Sequence, residues 1–408
     1  MNILFLTLVN IGSFEERHNI YADLCRELVS EGNTVHIVCP IENKSDAETH
    51  FEPFGEGSGI LKIKTGKIQK TNIIRKGIET VLAGSRYKNA VKKHLSELKY
   101  DLIVYSTPPI TLVDVVKYVK KRDGAKTYLL LKDIFPQNAV DLGMMTLKGP
   151  RSVIYRYFRA KERELYRVSD VIGCMSQRNV EYLLEHNDYI PCERVHVSPN
   201  SFEPVVEKKS VEEKQALREK YGLPIDKKVF IYGGNLGRPQ GVPFIVECMK
   251  RLAMRDDAYF VICGGGTEYG FIEKYTIESS QKNLLLIAGL PRDEYEEFVG
   301  CCDVGLIFLD HRFTIPNFPS RLLSYMQKSI PVICCTDKYT DVGKVAVEGG
   351  FGWNCESLDP DEFVQTVELA SVADTDKMGE LAAKYLIDNY SVKKSAEIIL
   401  GELEKVKK

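Results

Sequence analysis

Short apolar runs alternate with longer stretches of helical periodicity along almost the whole chain. The candidate strands are 2–9, 34–39, 101–106, 126–131, 170–175, 194–199, 228–233, 259–264, 283–289, 303–309 and 331–335. The candidate helices lie near 15–31, 71–98, 110–122, 150–168, 176–187, 241–254, 268–280, 292–300, 319–328 and 360–371. Strands that are apolar throughout and alternate with helices are typical of parallel sheets covered on both faces. The pattern therefore predicts an α/β protein.

This alternation occurs twice, and a charged stretch without an apolar strand, residues 203–224, separates the two occurrences. We predict two doubly wound domains facing a cleft. The predicted divisions are a first domain over 1–203, a linker over 204–224, a second domain over 225–388 and a C-terminal helix over 389–408. In such sheets, ligands bind at the carboxyl ends of the strands, so the loops after the strands are the places to look for a site.

Composition and charge change this picture little. A length of 408 residues suits two domains, and a formal net charge of −2 gives no argument for a nucleic-acid partner, so we expect none. The N-terminus has no charged n-region, and no apolar run approaches the ~20 residues that span a bilayer. None of the 11 cysteines forms a C-x-x-C pair. We expect a cytoplasmic protein without disulfides.

The loop YGGNLGRPQG, residues 232–241, lies between a predicted strand and a predicted helix. Glycines let a backbone approach a ligand, and a helix start offers free N–H groups to an anion. The spacing fits neither the GxxxxGK[ST] phosphate loop nor GxGxxG. A merely tight turn is the alternative, but the glycine content favours ligand binding. The candidate residues are Gly233, Gly234, Asn235, Arg238 and Gln240.

Two further turns should lie at the same edge of the second sheet. The glycine turn CGGGTEYG, residues 263–270, follows the next strand and offers Gly264 and Gly265. The turn GLPRDEY, residues 289–295, could receive a planar base. Its candidate residues are Leu290, Pro291 and Arg292.

The segment 308–335 places two prolines and a basic pair between a strand and a helix. Pro319 stands where a helix would begin, so Ser320 and Arg321 would lie in its first turn. A cation there is unfavourable to the helix dipole, which indicates an anionic ligand for Arg321. Pairing of Arg321 with Asp310 or another carboxylate is the alternative.

In the first domain, Gly12 and Ser13 stand at the first strand-to-helix turn, where Ser13 could cap the helix or the turn could approach a ligand. Lys132 and Asp133 fall just past another strand. They form either a surface salt bridge or a charge presented to the site, and their position favours the second.

Residues 62–93 carry ten Lys and Arg against one acidic residue, Glu79. This segment is either a solvated face over a packed helix or a surface attracted to an anionic membrane, worth ~1 kcal/mol for each basic residue near the lipid. The helix near 150–168 is also basic and aromatic, and we expect its apolar stripe to face the core. The acids at 359–361 and 374–376 suit helix starts, so we expect no dedicated metal site.

Several of these motifs together resemble glycosyltransferases of the GT-B fold, and in particular family four. The resemblance is strongest to the bacterial branch that builds capsule, O-antigen and exopolysaccharide. It is carried by KDIFPQNAVDLG, SDVIGCMSQRNVEYL, VSPNSFEP, GGNLGRPQG, ICGGG and PSRLLSYMQKSIPVI. It implies two Rossmann-like domains and retaining transfer of a sugar from a nucleotide-diphosphate donor without a metal or other cofactor. The second domain would hold the nucleotide and the first the acceptor, and the tail near 391–406 would cross back to the first domain.

The chain departs from the family pattern at its cations. Many relatives have Arg and Lys where this loop has Asn235 and Gln240. The cations for the diphosphate are then expected to be Arg238 and Arg321, with Arg321 matching the lysine of the common P-S-K pattern.

It also departs from the pattern at two other positions. Ser324 stands where many relatives have a ribose-binding glutamate, and Pro316 stands at the earlier glutamate position. Lys132, with Asp133, replaces a His-Asp pair whose histidine faces the donor sugar.

The resulting hypothesis is a cytoplasmic, metal-independent, retaining glycosyltransferase of hexosyl or N-acetylhexosaminyl type. It would use a UDP-linked sugar and a lipid-diphosphate-linked or saccharide acceptor, in peripheral contact with the inner face of the membrane. The expected catalytic residues are Arg238, Arg321, Lys132 and Asp133. The rivals are a sugar-nucleotide 2-epimerase on the same fold and a non-catalytic binding partner that lost the chemistry.

Overall fold

A computed structural model describes residues 1–12, 14, 19–41, 48–65 and 73–406, with the backbone alone described for 73–80 and 406. The chain divides into two compact units. The N-terminal unit consists of Met1–Glu203 together with Ser391–Lys408, and the C-terminal unit is Pro204–Tyr390.

The N-terminal unit is built on an eight-stranded sheet. Its strands are β1 (Asn2–Leu6), β2 (Thr34–Pro40), β3 (His50–Phe54), β4 (Ser58–Ile63), β5 (Leu102–Ser106), β6 (Lys126–Leu131), β7 (Val171–Cys174) and β8 (Val195–Val197). Their order is β3-β4-β2-β1-β5-β6-β7-β8, and every pair is parallel except β3 with β4. Its helices are α1 (Ile20–Ser30), α2 (Ile73–His94), α3 (Val113–Asp123), α4 (Gln137–Asp141), α5 (Ser152–Val168) and α6 (Gln177–Glu185), and a short 3-10 helix covers Ile110–Leu112.

The C-terminal unit has a six-stranded parallel sheet. Its strands are β9 (Lys228–Gly233), β10 (Ala258–Cys263), β11 (Leu284–Ile287), β12 (Val304–Phe308), β13 (Val332–Thr336) and β14 (Gly352–Glu356), in the order β11-β10-β9-β12-β13-β14. Its helices are α7 (Val211–Tyr221), α8 (Val242–Arg251), α9 (Tyr269–Ser279), α10 (Arg292–Val299), α11 (Arg321–Gln327), α12 (Val342–Glu348), α13 (Pro360–Ser371) and α14 (Thr375–Tyr390). A last helix, α15 (Val392–Val406), lies in the N-terminal unit.

The central strands are apolar throughout because both faces of each sheet are buried. In β1, Leu4 and Leu6 belong to one core cluster, while Ile3 and Phe5 belong to the cluster on the opposite face. Successive side chains of a strand point to opposite faces, so only a strand covered on both sides is apolar at every position. The predicted α/β class with parallel sheets is therefore confirmed.

The stretch predicted as a linker contains a helix instead. Ser210 and Glu213 form a capping box at the start of α7. From this helix the buried Arg218 donates to the Cys301 carbonyl (2.9 Å) and pairs with Asp303 (2.6 Å). Among the described residues 211–221 of α7, Arg218 is the one buried side chain, and Tyr221 packs its ring on Phe298. The helix has no apolar run for sequence reasoning to find.

Helix α15 packs against α1 within the N-terminal unit. Ala396, Ile399 and Leu403 share a core cluster with Leu24 and Leu28. The chain enters α15 at Val392, whose N–H donates to the Phe202 carbonyl at 3.1 Å.

Helix α1 begins later than the sequence predicts. Its N-cap is Asn19, whose side chain accepts from the N–H groups of Tyr21 and Ala22. The cap predicted at Ser13 is therefore wrong for this helix, because asparagine offers the same short acceptor directly before the apolar residues. Ser13 itself lies outside the described residues.

Candidate functional site

The loops after β9 and β10 are interlocked at the carboxyl edge of the C-terminal sheet. The Gly234 N–H donates to the Cys263 carbonyl (2.7 Å), and the Leu236 N–H donates to the Gly265 carbonyl (2.9 Å). Gly264 lies against the Gly234 carbonyl so closely that a Cβ at Gly264 would overlap the oxygen. The glycines of both loops therefore serve backbone-to-backbone packing, which fixes one loop on the other.

The third turn, residues 289–295, joins this edge through Leu290 and through Tyr295, whose ring lies against Gly233. The Leu290 backbone hydrogen-bonds the Cys263 thiol, whose pKa burial nevertheless raises. Pro291 precedes α10, and the exposed Arg292 at its start donates to Glu296 (3.0 Å). The structure therefore brings the three predicted turns together.

Arg321 reaches the glycine loop from far along the sequence. Its guanidinium carbon lies 4.6 Å from the centre of the Tyr232 ring, and a Cβ at Gly234 would overlap the guanidinium. Among the described residues, no carboxylate forms an ion pair with Arg321. Asp310, the alternative partner, is bound instead by Arg312 through two contacts of 2.7 and 2.8 Å. The predicted alternative of an Arg321–Asp310 pair is therefore wrong.

Three tyrosines, Tyr232, Tyr295 and Tyr325, surround the charge of Arg321 without neutralising it. Burial raises the pKa of Tyr232 and Tyr325, and it raises the pKa of Tyr295 to about 12. Their hydroxyls are uncharged at neutral pH, whereas a guanidinium stays protonated. Within the described part of the chain, this edge of the sheet therefore holds a partly buried positive charge without a counter-ion.

The two amides of the loop bind each other. The Asn235 side-chain amide donates to Gln240 Oε1 (3.0 Å), and the Gly237 N–H donates to the same oxygen (3.2 Å). The Tyr232 hydroxyl donates to the Asn235 carbonyl at 2.6 Å. These bonds hold the loop in one shape, so Asn235 and Gln240 brace the backbone around the site.

The remaining predicted residues of this unit lie nearer the surface. Arg238 is 54% exposed, and its Nε lies 3.9 Å from Glu268. Ser320 precedes α11 and is exposed, while Ser324, one turn into α11, is partly buried. Arg238 is thus free to move toward a ligand, in contrast to the enclosed Arg321.

Lys132 and Asp133 are held by separate partners at the end of β6. The Thr107 hydroxyl accepts from both backbone N–H groups, at 3.0 Å from Lys132 and 3.2 Å from Asp133. The Asp133 carboxylate accepts from the Asn138 amide at 2.8 and 3.0 Å. The Lys132 ammonium donates to the Ser198 carbonyl at 3.0 Å.

The Lys132 ammonium lies in a small cavity of about 10 Å³ between β6, α1 and α15. In its lining, the buried Ser198 hydroxyl and Asn200 Oδ1 have no hydrogen-bond partner among the described residues. A cavity of this size with several polar partners suits one water molecule. Although some of the side-chain surface stays exposed, burial lowers the pKa of Lys132 to about 7.

Replacing Lys132 with Met should stabilise the protein, and more at pH 6 than at pH 9.5. An unfolded lysine titrates near ~10.4. Between that pH and about 7, the unfolded chain binds a proton at Lys132 that the folded chain does not. The destabilisation that Lys132 causes therefore grows as the pH falls and reaches its full size below 7. We expect a gain on the order of 1–3 kcal/mol at pH 6 and a fraction of it at pH 9.5. Urea unfolding at both pH values measures it.

The control for this experiment is Lys121→Met on the exposed face of α3. It should change the free energy of unfolding little and equally at the two pH values. A gain for Lys132→Met that is independent of pH would mean that the ammonium keeps its charge in the fold.

At the end of β1, the Gly12 N–H donates to Asn10 Oδ1 (2.6 Å). This turn is closed on itself by an asparagine, and it belongs to the N-terminal unit with Lys132 and Asp133.

Only part of the basic segment 62–93 can be placed. Residues 66–72 lie outside the described part of the chain. Farther along α2, the ammonium groups of Lys88 and Lys92 lie over the Tyr118 ring at 5.9 and 4.9 Å. Within the described residues, no helix is long and apolar enough to cross a bilayer. Contact of this segment with a membrane stays a prediction.

Two family models match the chain one after the other. The model described as Glycosyltransferase Family 4 matches residues 19–204, and the model described as Glycosyl transferases group 1 matches residues 213–399. The chain belongs to the family-four glycosyltransferases. The first model matches the part of this glycosyltransferase that contains Lys132, and the second matches the part that contains the glycine loops.

Curated relatives of this glycosyltransferase come from several bacteria. A probable glycosyltransferase, WbjE of Pseudomonas aeruginosa, is 25% identical over 333 residues, which is 80% of each chain. A putative colanic acid biosynthesis glycosyl transferase, WcaI of Escherichia coli, is 24% identical over 60% of each chain. A putative teichuronic acid biosynthesis glycosyltransferase, TuaC of Bacillus subtilis, is 27% identical over 33% of this chain and 30% of its own.

Solved structures share the fold along the whole length. Sucrose-phosphate synthase from Thermosynechococcus elongatus superposes with a TM-score of 0.74 at 13% identity, covering 99% of this chain and 98% of that one. Anabaena HepE, in complex with UDP and glucose, gives a TM-score of 0.67 at 13% identity, covering 99% and 100%. At these identities the likeness establishes the GT-B fold, as the sequence predicted.

The sequence did not reveal the residues that enclose Arg321. Tyr325 lies under the sheet, where its hydroxyl donates to the Ile231 carbonyl (3.0 Å), and Tyr295 packs against Gly233. Their signal in the sequence was a glycine within a strand of otherwise large residues, because Gly233 leaves room for the Tyr295 ring and Gly305 leaves room for the Tyr325 ring.

Proposed function

We propose that this glycosyltransferase takes its sugar from a nucleotide-diphosphate donor, UDP-linked, held by the C-terminal unit. The observation that carries the proposal is the Arg321 guanidinium beside Gly234, partly buried and without a carboxylate partner among the described residues. A charge removed from water and left unpaired is costly, and an anionic ligand offsets that cost. A diphosphate bound at this loop would place its negative charge beside the Arg321 guanidinium.

Arg321 and the loop backbone would stabilise the leaving diphosphate. As the bond to the sugar breaks, negative charge grows on the phosphate oxygens, and fixed donors aimed there lower the barrier. Arg238, exposed and only loosely held by Glu268, would close on the phosphates from the outer side. Because cations and backbone donors do this work, we propose that transfer needs no metal.

Transfer is proposed to proceed with retention, by attack from the face that the diphosphate leaves. The donor phosphate would accept the acceptor's proton, so no protein nucleophile is required. Asp133 would act as a positioning group, because its carboxylate is already held by the Asn138 amide. The transferred sugar is proposed to be a hexosyl or N-acetylhexosaminyl group.

The acceptor is proposed to be a lipid-diphosphate-linked or other saccharide in bacterial surface polysaccharide synthesis, held by the N-terminal unit. The support is that two relatives, WcaI and TuaC, are putative glycosyltransferases of colanic acid and teichuronic acid biosynthesis. Lys132 at the end of β6 is proposed to turn from the Ser198 carbonyl to an anionic part of the acceptor when the acceptor binds.

Calorimetric titration with UDP, GDP and TDP and their sugars tests the donor proposal. We expect UDP and a UDP-sugar to bind in the presence of EDTA. Incubation of the bound donor with membrane lipid extract should then yield a glycosylated lipid or saccharide. If no nucleoside diphosphate binds, the proposal fails.

The same experiment separates the rivals. An epimerase would convert the donor without any acceptor, and a binding partner that lost the chemistry would bind the donor without turnover. The anomeric configuration of the product, read by NMR, decides whether transfer is retaining.

A further inference from the structure

The segment from the end of α4 into α5 exposes large apolar side chains. The exposed set comprises Met144 (50%), Leu147 (53%), Val153 (58%), Ile154 (55%) and Tyr157 (40%). A stripe facing the core was predicted for this helix. That prediction is confirmed for Phe158, Leu165 and Tyr166, which join the core, but Val153, Ile154 and Tyr157 in the first turns of α5 are exposed.

The apolar residues of α5 form one wide stripe. Ile154 lies one turn before Phe158 on the same side of the helix, and Val153 and Tyr157 extend the stripe beside it. The stripe joins the core at Phe158, Leu165 and Tyr166 and is open to solvent in the first turns of α5. Contiguous exposed apolar surface of this kind usually marks an interaction site.

The segment that carries the exposed set is rich in cations. Residues 142–161 contain five Lys and Arg and no Asp or Glu. Two of these cations are neutralised, because Lys161 pairs with Asp114 (3.0 Å) and Arg159 pairs with Glu162. The other three, Lys148, Arg151 and Arg156, are exposed and form no ion pair with a described residue. The apolar set and these three cations are called the α5 surface below.

A neighbouring helix also exposes apolar side chains. Val81 and Leu82 of α2 are 40% and 41% exposed. Helices α2 and α5 both pack against the 3-10 helix Ile110–Leu112, and Gly84 of α2 touches the Thr111 carbonyl.

We propose that the α5 surface docks this protein on an anionic lipid bilayer. Apolar side chains enter the boundary between headgroups and acyl chains, and a tyrosine suits that boundary because its ring is apolar and its hydroxyl polar. Unpaired cations at the rim attract anionic headgroups near the membrane surface. A nucleic acid would match the cations but not the apolar centre, and a protein partner would have to be acidic as well as apolar.

Vesicle binding of the full chain tests this docking. Sedimentation with phosphatidylcholine vesicles, with and without phosphatidylglycerol, should show binding that needs the anionic lipid and weakens with salt. Changing Lys148, Arg151 and Arg156 together to Glu should lower the partition coefficient at least tenfold. The matched control, Lys274, Lys282 and Lys344 changed to Glu in the C-terminal unit, alters the net charge equally and should bind like the wild type.

A fluorescent reporter identifies the surface that meets the lipid. Trp353, the one tryptophan of the chain, is changed to Phe, and Ile154 on α5 is changed to Trp. The emission of this new tryptophan should shift to the blue when anionic vesicles are added. No binding to anionic vesicles, an unchanged emission, or equal loss in the matched control would each overturn the proposal. No nucleotide sugar is needed, so this outcome and that of the donor titration are independent.

Discussion

Arg321→Met should weaken UDP binding by roughly 10- to 100-fold while leaving the unliganded protein as stable as before, or more stable. A hydrogen bond to a charged group is worth about 1.5–3 kcal/mol, and each 1.4 kcal/mol is about tenfold in affinity. Met fills the space beside Tyr232 and Gly234 without the charge. Because the free protein holds that charge unpaired, removing it costs no ion pair. The opposite signs of the two effects distinguish a binding role from a structural one.

Isothermal titration with UDP and urea unfolding of each variant measure the two effects. Arg251→Met, at the exposed end of α8 where the arginine pairs with Glu247 and Asp361, is the control. It should leave UDP binding unchanged and lower the free energy of unfolding by at most about 1 kcal/mol, as is usual for surface ion pairs. Gln240→Ala should weaken binding less than Arg321→Met, because Gln240 acts through the Gly237 N–H and the Asn235 amide. Wild-type affinity in Arg321→Met would show that the diphosphate binds elsewhere.

The sequence predicted the strands that are buried on both faces. Along β9, Phe230 and Tyr232 join one core cluster while Ile231 between them is buried too, and such a run has no polar position to confuse it. The loops after these strands could be predicted with them, because parallel strands end at one edge. Arg321 was found by a local conflict, a cation in the first turn of a helix.

Elements without an apolar run were missed. Strand β3 is HFEPF, an edge strand that pairs antiparallel with β4 alone and is partly exposed along its length. Its proline and glutamate are typical of an edge and hide the strand from a search for apolar runs. Strand β14 is likewise an edge strand and has exposed positions. Such elements form because a neighbour supplies their hydrogen bonds, which a local pattern does not record.

The contacts that shape the site join residues far apart in sequence. In the sequence, Asn235 and Gln240 stand where relatives have cations, and no partner for either amide could be predicted. In the fold the two side chains hydrogen-bond each other. Lys132 read as a charge at a strand end, but its ammonium turns to the Ser198 carbonyl, 66 residues away. The residue types were visible in the sequence, and their partners were not.

The second large effect is expected at Gly264, where Ala should both destabilise the C-terminal unit and abolish donor binding. Gly264 has φ of +151°, which side-chain-bearing residues rarely adopt, and a Cβ there would overlap the Gly234 carbonyl oxygen. The two loops would have to separate, which breaks the Gly234 N–H bond to Cys263. We expect a loss of about 2–4 kcal/mol of unfolding free energy.

The adjacent residue supplies the control. A Cβ at Gly265 would lie 3.4 Å from the Ala288 carbonyl, an ordinary contact, and its φ is not in the left-handed range. Gly265→Ala should therefore stay within about 0.5 kcal/mol of the wild type in urea unfolding and keep most of its UDP affinity. If the two alanines behave alike, the loops do not rest on each other through Gly264. If only Gly264→Ala loses stability and UDP affinity, the diphosphate site depends on the interlocked backbone of the two loops and not on their glycine content as such.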